Sequence, residues 1–207
     1  LPAIESFILA RLFMFQQVYF HKTGRASEWM MARTLDRARR VLLDGGALPD
    51  TPPALRQLAL HHDCPLQEYL QLDDSVLWAA LSAWRSSPEP VLADLCQRLH
   101  ERRLLKTYEL YGEQATDEGR QRALAVARGV ASEAGFDPDV YVGLDFAEDV
   151  PYREDEEHLR VVFPDGSERR PSEVSFLLAR LKGETLRRVR LIVPPELRAR
   201  IVEALAS

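Results

Sequence analysis

The sequence predicts an α+β protein, and three observations carry that reading. Up to about residue 103 the apolar residues recur every three or four positions, the period of helices that bury one face. From Leu105 the period drops to two. Leu105 to Leu110, then Val140, Val142, Leu144 and Phe146, then Val189, Leu191 and Val193 each alternate. Two helical stretches and a further short strand over 158–163 lie between these segments, so residues 104–193 run strand, helix, strand, strand, helix, strand. That order is expected of a split βαβ, ferredoxin-like sandwich. It divides the chain into a helical region, 1–103, and a small ferredoxin-like α+β domain, 104–207.

The first helix is expected over 3–21, with Ile4, Ile8, Phe15 and Val18 on one stripe and Arg11 in the middle of it. Thr23-Gly24 should break it. A second helix over 26–43 is anchored by Trp29, Met30, Ala38, Val41 and Leu42 and ends at Gly45-Gly46. Its other face carries Arg33, Arg37 and Arg40. A short helix over 53–62 stops before Cys64-Pro65. Asp73 or Asp74 caps a helix over 75–86, with Val76, Leu77, Ala80, Leu81 and Trp84 inward. Ser87-Pro88 opens the next, to about Arg102. In the second half, strands are expected over 105–110, 139–146, 158–163 and 187–193. Helices are expected over 117–135, 171–181 and from Pro194-Pro195 to Ala206. Between Asp137 and His158 the single base is Arg153 among many acids, which reads as a solvated hairpin loop.

The 207 residues are 46% hydrophobic and 29% charged, with a formal net charge of −5. That balance is ordinary for a soluble chain and argues against a protein that coats nucleic acid. Cys64 and Cys96 lack CxxC spacing and suggest reduced thiols in a cytoplasmic protein. No apolar run reaches a membrane span, and the opening lacks a signal-peptide pattern. The chain starts Leu1-Pro2 without a methionine and with an apolar helix, which suggests a piece of a longer protein.

Chemistry is sparse. His61-His62-Asp63 invites a metal reading, but a site needs further ligands, and His21, His100 and His158 each sit in segments with other roles. No metal and no catalytic residue is therefore expected in this chain. GxSxG, GxGxxG and the P-loop are all absent. Arg11 in an apolar stripe calls for an anion, either an internal carboxylate or a phosphate. His21, Lys22 and Arg25 place three cations across a helix break, a pattern suited to polyphosphate at a helix N-terminus. Tyr19 beside them can stack on a base or sugar.

Ala10-Arg11, the run Gln17-Val18-Tyr19-Phe20-His21-Lys22 and Arg25-Ala26 resemble a helix pair of the HD-domain phosphohydrolases. The similarity is to the branch that hydrolyses deoxynucleoside triphosphates. Leu72-Asp73-Asp74, Trp84-Arg85, Ser87-Pro88 and residues 102–110 share it, and Ser172-Glu173-Val174 more loosely. The resemblance implies a parent enzyme whose H…HD…D motif, upstream of Leu1, holds a divalent metal and activates water on a nucleoside triphosphate. In it Arg11 would contact triphosphate and Tyr19 would pack on the deoxyribose. His21 and Lys22, with Arg25 beside them, would touch an activating nucleotide at a subunit interface of a homo-oligomer. Phe20 departs from a polar residue that some members carry there. The other reading is a non-catalytic regulatory or oligomerisation module, whose first helix would expose Phe7, Leu12, Phe13 and Phe15.

Overall fold

The computed structural model describes residues 1–154 and 159–206. The expected strand start at His158 and the acids Asp155, Glu156 and Glu157 lie outside the described residues. The chain runs α1 (Pro2–Met14), a π-helical turn (Phe15–Tyr19), α2 (Lys22–Leu43), α3 (Pro53–His61), α4 (Leu66–Tyr69), α5 (Asp74–Trp84) and α6 (Pro90–His100). Then follow β1 (Lys106–Glu109), α7 (Asp117–Glu133), α8 (Pro138–Tyr141), β2 (Gly143–Asp149), β3 (Val161–Val162) and β4 (Glu168–Arg169). The last elements are α9 (Pro171–Val174), α10 (Phe176–Leu181), β5 (Leu186–Val193) and α11 (Arg198–Ala206).

The mixed α+β class holds, and the sheet has three strands in the order β1-β5-β2. Both outer strands run antiparallel to β5, so they are parallel to each other and α7 connects them, a split βαβ unit. The fourth strand of a ferredoxin-like sheet is not there among the described residues. Val161–Val162 pairs instead with Glu168–Arg169 in a hairpin of its own. The turn forces this: the Asp165 carboxylate accepts from the Ser167 amide and hydroxyl, and Phe163 N–H donates to Ser167 O. The strand expected over 139–146 also shifts. Asp137 caps residues 138–141 as a helical turn with Pro138 in its first turn, and extension begins at Gly143.

Alternation along β5 serves two cores. Val189, Leu191 and Val193 pack under α7 and α11, where Ala123, Ala127 and Ala131, four residues apart, let the helix lie close to the sheet. Ile192 faces the other way, onto Met30 of α2 and Leu95 and Leu99 of α6, with Leu105, Val140 and Tyr141. The helical region and the sheet therefore share a core. Gly143 permits this contact, since a Cβ there would sit 2.1 Å from the Trp29 ring. Arg98, buried, pairs with Asp94 at 2.7 Å and Glu196 at 2.9 Å, and Tyr141 donates its hydroxyl to Asp94. A second helical core gathers Ala38, Leu42, Leu81, Trp84, Leu92 and Cys96.

Several helix boundaries differ from the sequence reading. Glu89 rather than Ser87 caps α6, accepting from Val91 and Leu92 amides, with Pro90 in the first turn. Ser175 splits residues 171–181 and caps α10. The first helix does not run through to residue 21. It ends at Met14 and winds one π-turn, which rotates Val18 off the buried stripe, leaving it 53% exposed. The break falls at Phe20-His21 instead of Thr23-Gly24, because Phe20 is buried against Phe15 and Ala147 while His21 is extended.

Candidate functional site

The elbow between the π-turn and α2 opens onto a groove. Lys22 is the first residue of α2, and no side chain caps that helix, so its first-turn amides stay free as donors. Two adjoining concavities of about 430 Å³ and about 420 Å³ share Lys22, Thr107 and Arg198. The first is lined also by Thr23, Arg102, Leu104, Lys106 and Pro195. The second adds Gln16, Phe20, His21, Tyr108, Glu109, Tyr111, Arg188 and Arg190. Lys22, Arg102, Lys106 and Arg198 are exposed, and none forms an ion pair among the described residues. Four unpaired cations around one groove, in a chain of net charge −5, repel one another until an anion enters. Arg102 is held with φ +56°, the left-handed residue that closes α6, where its Cβ is costly.

Arg188 and Arg190 are balanced rather than free. Glu109, Arg190 and Asp145 lie directly opposite one another in register, one charged row across β1, β5 and β2. Arg190 lies 3.5 Å from Asp145 and 3.8 Å from Glu109, and Arg188 pairs with Glu109 at 3.1 Å. Arg25 closes the row from α2. Its guanidinium reaches Asp145 at 2.6 Å, Glu28 at 2.8 Å and Phe146 O at 3.3 Å. The hydrogen bond to Asp145 raises its pKa above the ordinary arginine value. Of the three cations expected at an effector nucleotide, His21 and Lys22 line the groove, whereas Arg25 is turned onto β2 and does not.

Arg11 is exposed and not embedded in the apolar stripe, so the expected buried charge is absent. Its Nε donates to Pro151 O at 2.8 Å and its guanidinium lies 5.2 Å from the Phe15 ring centre. Tyr19, 55% exposed, sets its ring edge-on to Phe15 at 5.0 Å. The structure thus brings Arg11 and Tyr19 together on one buried aromatic platform. The sequence reading missed Phe15 in this role, and missed Arg102, Lys106 and Arg198. The one local signal was Arg187-Arg188-Val189-Arg190, which puts two arginines on the face of β5 opposite Val189.

His62 does not turn toward a metal. It lies at φ +56° with Nε2 2.9 Å from an Arg39 nitrogen, while Asp63 accepts from the Cys64 amide. Among the described residues no three His, Cys, Asp or Glu side chains could hold a metal ion, and no helix is long and apolar enough to cross a membrane. Both cysteines are free; burial pushes the Cys96 thiol up to about 12.

No family model matches the chain. It is 27% identical over 202 residues to the uncharacterized protein YwfO of Bacillus subtilis, covering 94% of this chain and 45% of that protein. Its structure resembles that of a phosphohydrolase from Bacteroides thetaiotaomicron, with a TM-score of 0.72 and 26% identity, over 92% of this chain and 49% of that one. A hypothetical protein from Aquifex aeolicus, 19% identical with a TM-score of 0.59, shares the fold over 99% of this chain and 45% of that one. The chain spans about half the length of the relatives it matches.

Proposed function

We propose that this chain is the region of an HD-type phosphohydrolase that follows its metal core and supplies substrate and effector contacts for a (deoxy)nucleoside triphosphate. The observation that carries this is the groove with four unpaired cations, Lys22, Arg102, Lys106 and Arg198, at the free N-terminus of α2. The likeness to the Bacteroides phosphohydrolase supports phosphate hydrolysis as the reaction kind. The groove would take the polyphosphate of an effector nucleotide, with Tyr108, Tyr111 and His21 in the second concavity offering rings to its base.

Arg11 and Tyr19 would face the substrate. The Nε of Arg11 is fixed by Pro151 O, which leaves its terminal nitrogens as a fork for triphosphate. Tyr19, braced by Phe15, would pack on the deoxyribose and leave no room for a 2′-hydroxyl. Among the described residues no cluster fits a divalent metal, and the HD-type resemblance would put its ligands upstream of Leu1; no chemical step is assigned to the described residues.

Two measurements test the reading. In the full-length encoded protein, Arg11→Ala and Tyr19→Ala should each lower kcat/KM for a deoxynucleoside triphosphate by about 10²-fold. In calorimetric titration of deoxynucleoside triphosphates, Lys22→Ala and Arg198→Ala should each weaken binding by about tenfold. Normal hydrolysis by both Arg11 and Tyr19 variants would remove the substrate assignment, and unchanged binding would remove the groove.

A second reading, a non-catalytic oligomerisation module, is favoured by one feature. Phe7, Phe13, Met14 and Val18 are 66%, 51%, 44% and 53% exposed along α1 and its π-turn. Sedimentation showing concentration-dependent self-association, lost on Phe7→Glu, would support it.

A further inference from the structure

Arg11 is held from outside its own helix by one carbonyl, that of Pro151, 140 positions away in sequence. Three residues on from that carbonyl lies a buried carboxylate. The Glu154 side chain is 2% exposed and receives four donors: Tyr152 Oη at 2.7 Å, Ser172 N at 2.9 Å, Ser172 Oγ at 2.5 Å and Lys182 Nζ at 2.8 Å. One carboxylate thereby ties the segment after β2, the start of α9 and the residue following α10. Tyr152, buried, packs on Ile8 of α1 and Leu178 of α10, and Gly183 N–H donates to Tyr152 O at 3.0 Å. At Ser175, the N-cap of α10 three residues before Leu178, the same assembly reaches α1 again, with Ser175 Oγ donating to Glu5 at 2.5 Å.

We infer that Glu154 is a positioning residue for Arg11: by locking residues 151–154 against α9 and α10, it sets the carbonyl that aims the guanidinium. This rests on the reading that Arg11 contacts the substrate. Among the described residues Arg11 is otherwise steadied only by Phe15, four residues on in the π-turn, which restrains the plane of the guanidinium but accepts no hydrogen bond from it. Losing the second anchor lets the fork wander by about an ångström, enough to cost about tenfold or more in rate.

The test is a cycle in the full-length encoded protein with Arg11→Ala, Glu154→Gln and the double variant, monitored for retained fold by circular dichroism. The expected result is that Glu154→Gln lowers kcat/KM by about tenfold, that Glu154→Asp restores part of it, and that Glu154→Gln has no further effect once Arg11 is alanine. Should Glu154→Gln not fold, Ser172→Ala, which removes one of the four donors, replaces it with the same expected pattern. An equal loss in the Arg11→Ala background marks a merely structural residue and overturns the inference. So does unchanged kcat/KM in a folded Glu154→Gln protein whose Arg11→Ala counterpart is impaired. Unimpaired Arg11→Ala instead overturns the substrate reading itself.

Discussion

Replacing Asp145 by alanine should be the most damaging single change in the sheet. Its side chain is 4% exposed and sits between two guanidiniums, Arg25 at 2.6 Å and Arg190 at 3.5 Å. The two lose unequally. Arg25 is 29% exposed and keeps Glu28 and Phe146 O, so it relaxes toward water. Arg190 is 7% exposed and, among the described residues, keeps only Glu109, at 3.8 Å, which already serves Arg188. A buried charge stripped of its better partner costs about 3–5 kcal/mol. With a urea dependence of about 2 kcal/mol per molar, the unfolding midpoint should fall by about 2 M. Urea denaturation followed by circular dichroism reads this directly. Asp145→Leu combined with Arg190→Met should recover much of the loss, because a well-packed apolar pair replaces a buried ionic one at little net cost. A midpoint shift below about 0.3 M for Asp145→Ala would mean that the row behaves as a solvated surface pair, and the argument from burial would fail.

Two further outcomes follow from the packing and the charges. Burial works against ionisation of Glu154, but hydrogen bonds from Lys182, Ser172 and Tyr152 overcome it and hold its pKa down at about 2. A folded-state value below the unfolded one stabilises the fold above about pH 4.5; that contribution, about 2–3 kcal/mol, is lost as pH falls toward 2. Glu154→Gln should flatten the acid limb of stability against pH, and an unchanged limb would sink the assignment. Gly143→Ala forces the Trp29 ring, whose indole N–H donates to Val140 O, off the start of β2; a loss of about 2 kcal/mol, read as a Tm lower by about 5 °C, is expected, and an unchanged Tm would show that the ring gives way freely.

Elements whose cause is local were legible in the sequence. The N-cap of α5, narrowed in the sequence to Asp73 or Asp74 and found at Asp73, the inward residues Ala80, Leu81 and Trp84, and the alternation of Val189, Leu191 and Val193 all declare themselves within a dozen residues. What depends on distant partners was not. Nothing near Arg25 announces Asp145, 120 positions on, so a cation that looked free for phosphate proved engaged with β2. The groove's cations come from α2, the end of α6, β1 and α11, and no window along the chain holds them together. The π-turn escaped for another reason. A helix that gains one residue keeps an apolar content that a 3.6-residue period fits nearly as well, so Val18 seemed to share the stripe of Ile8 and Phe15.

The central strand can be read in only one frame. Val189, Leu191 and Val193 meet three alanines of α7, while Arg188 and Arg190 meet carboxylates on the opposite side. Slipping β5 by a single residue against its neighbours would turn both arginines into that alanine-lined seam and leave Glu109 and Asp145 facing apolar side chains. The mispaired sheet would thus be penalised twice, by charges without partners and by an overfilled seam. The charged row therefore acts as a proofreading device during assembly, since it admits β5 between its two neighbours only in the correct alignment.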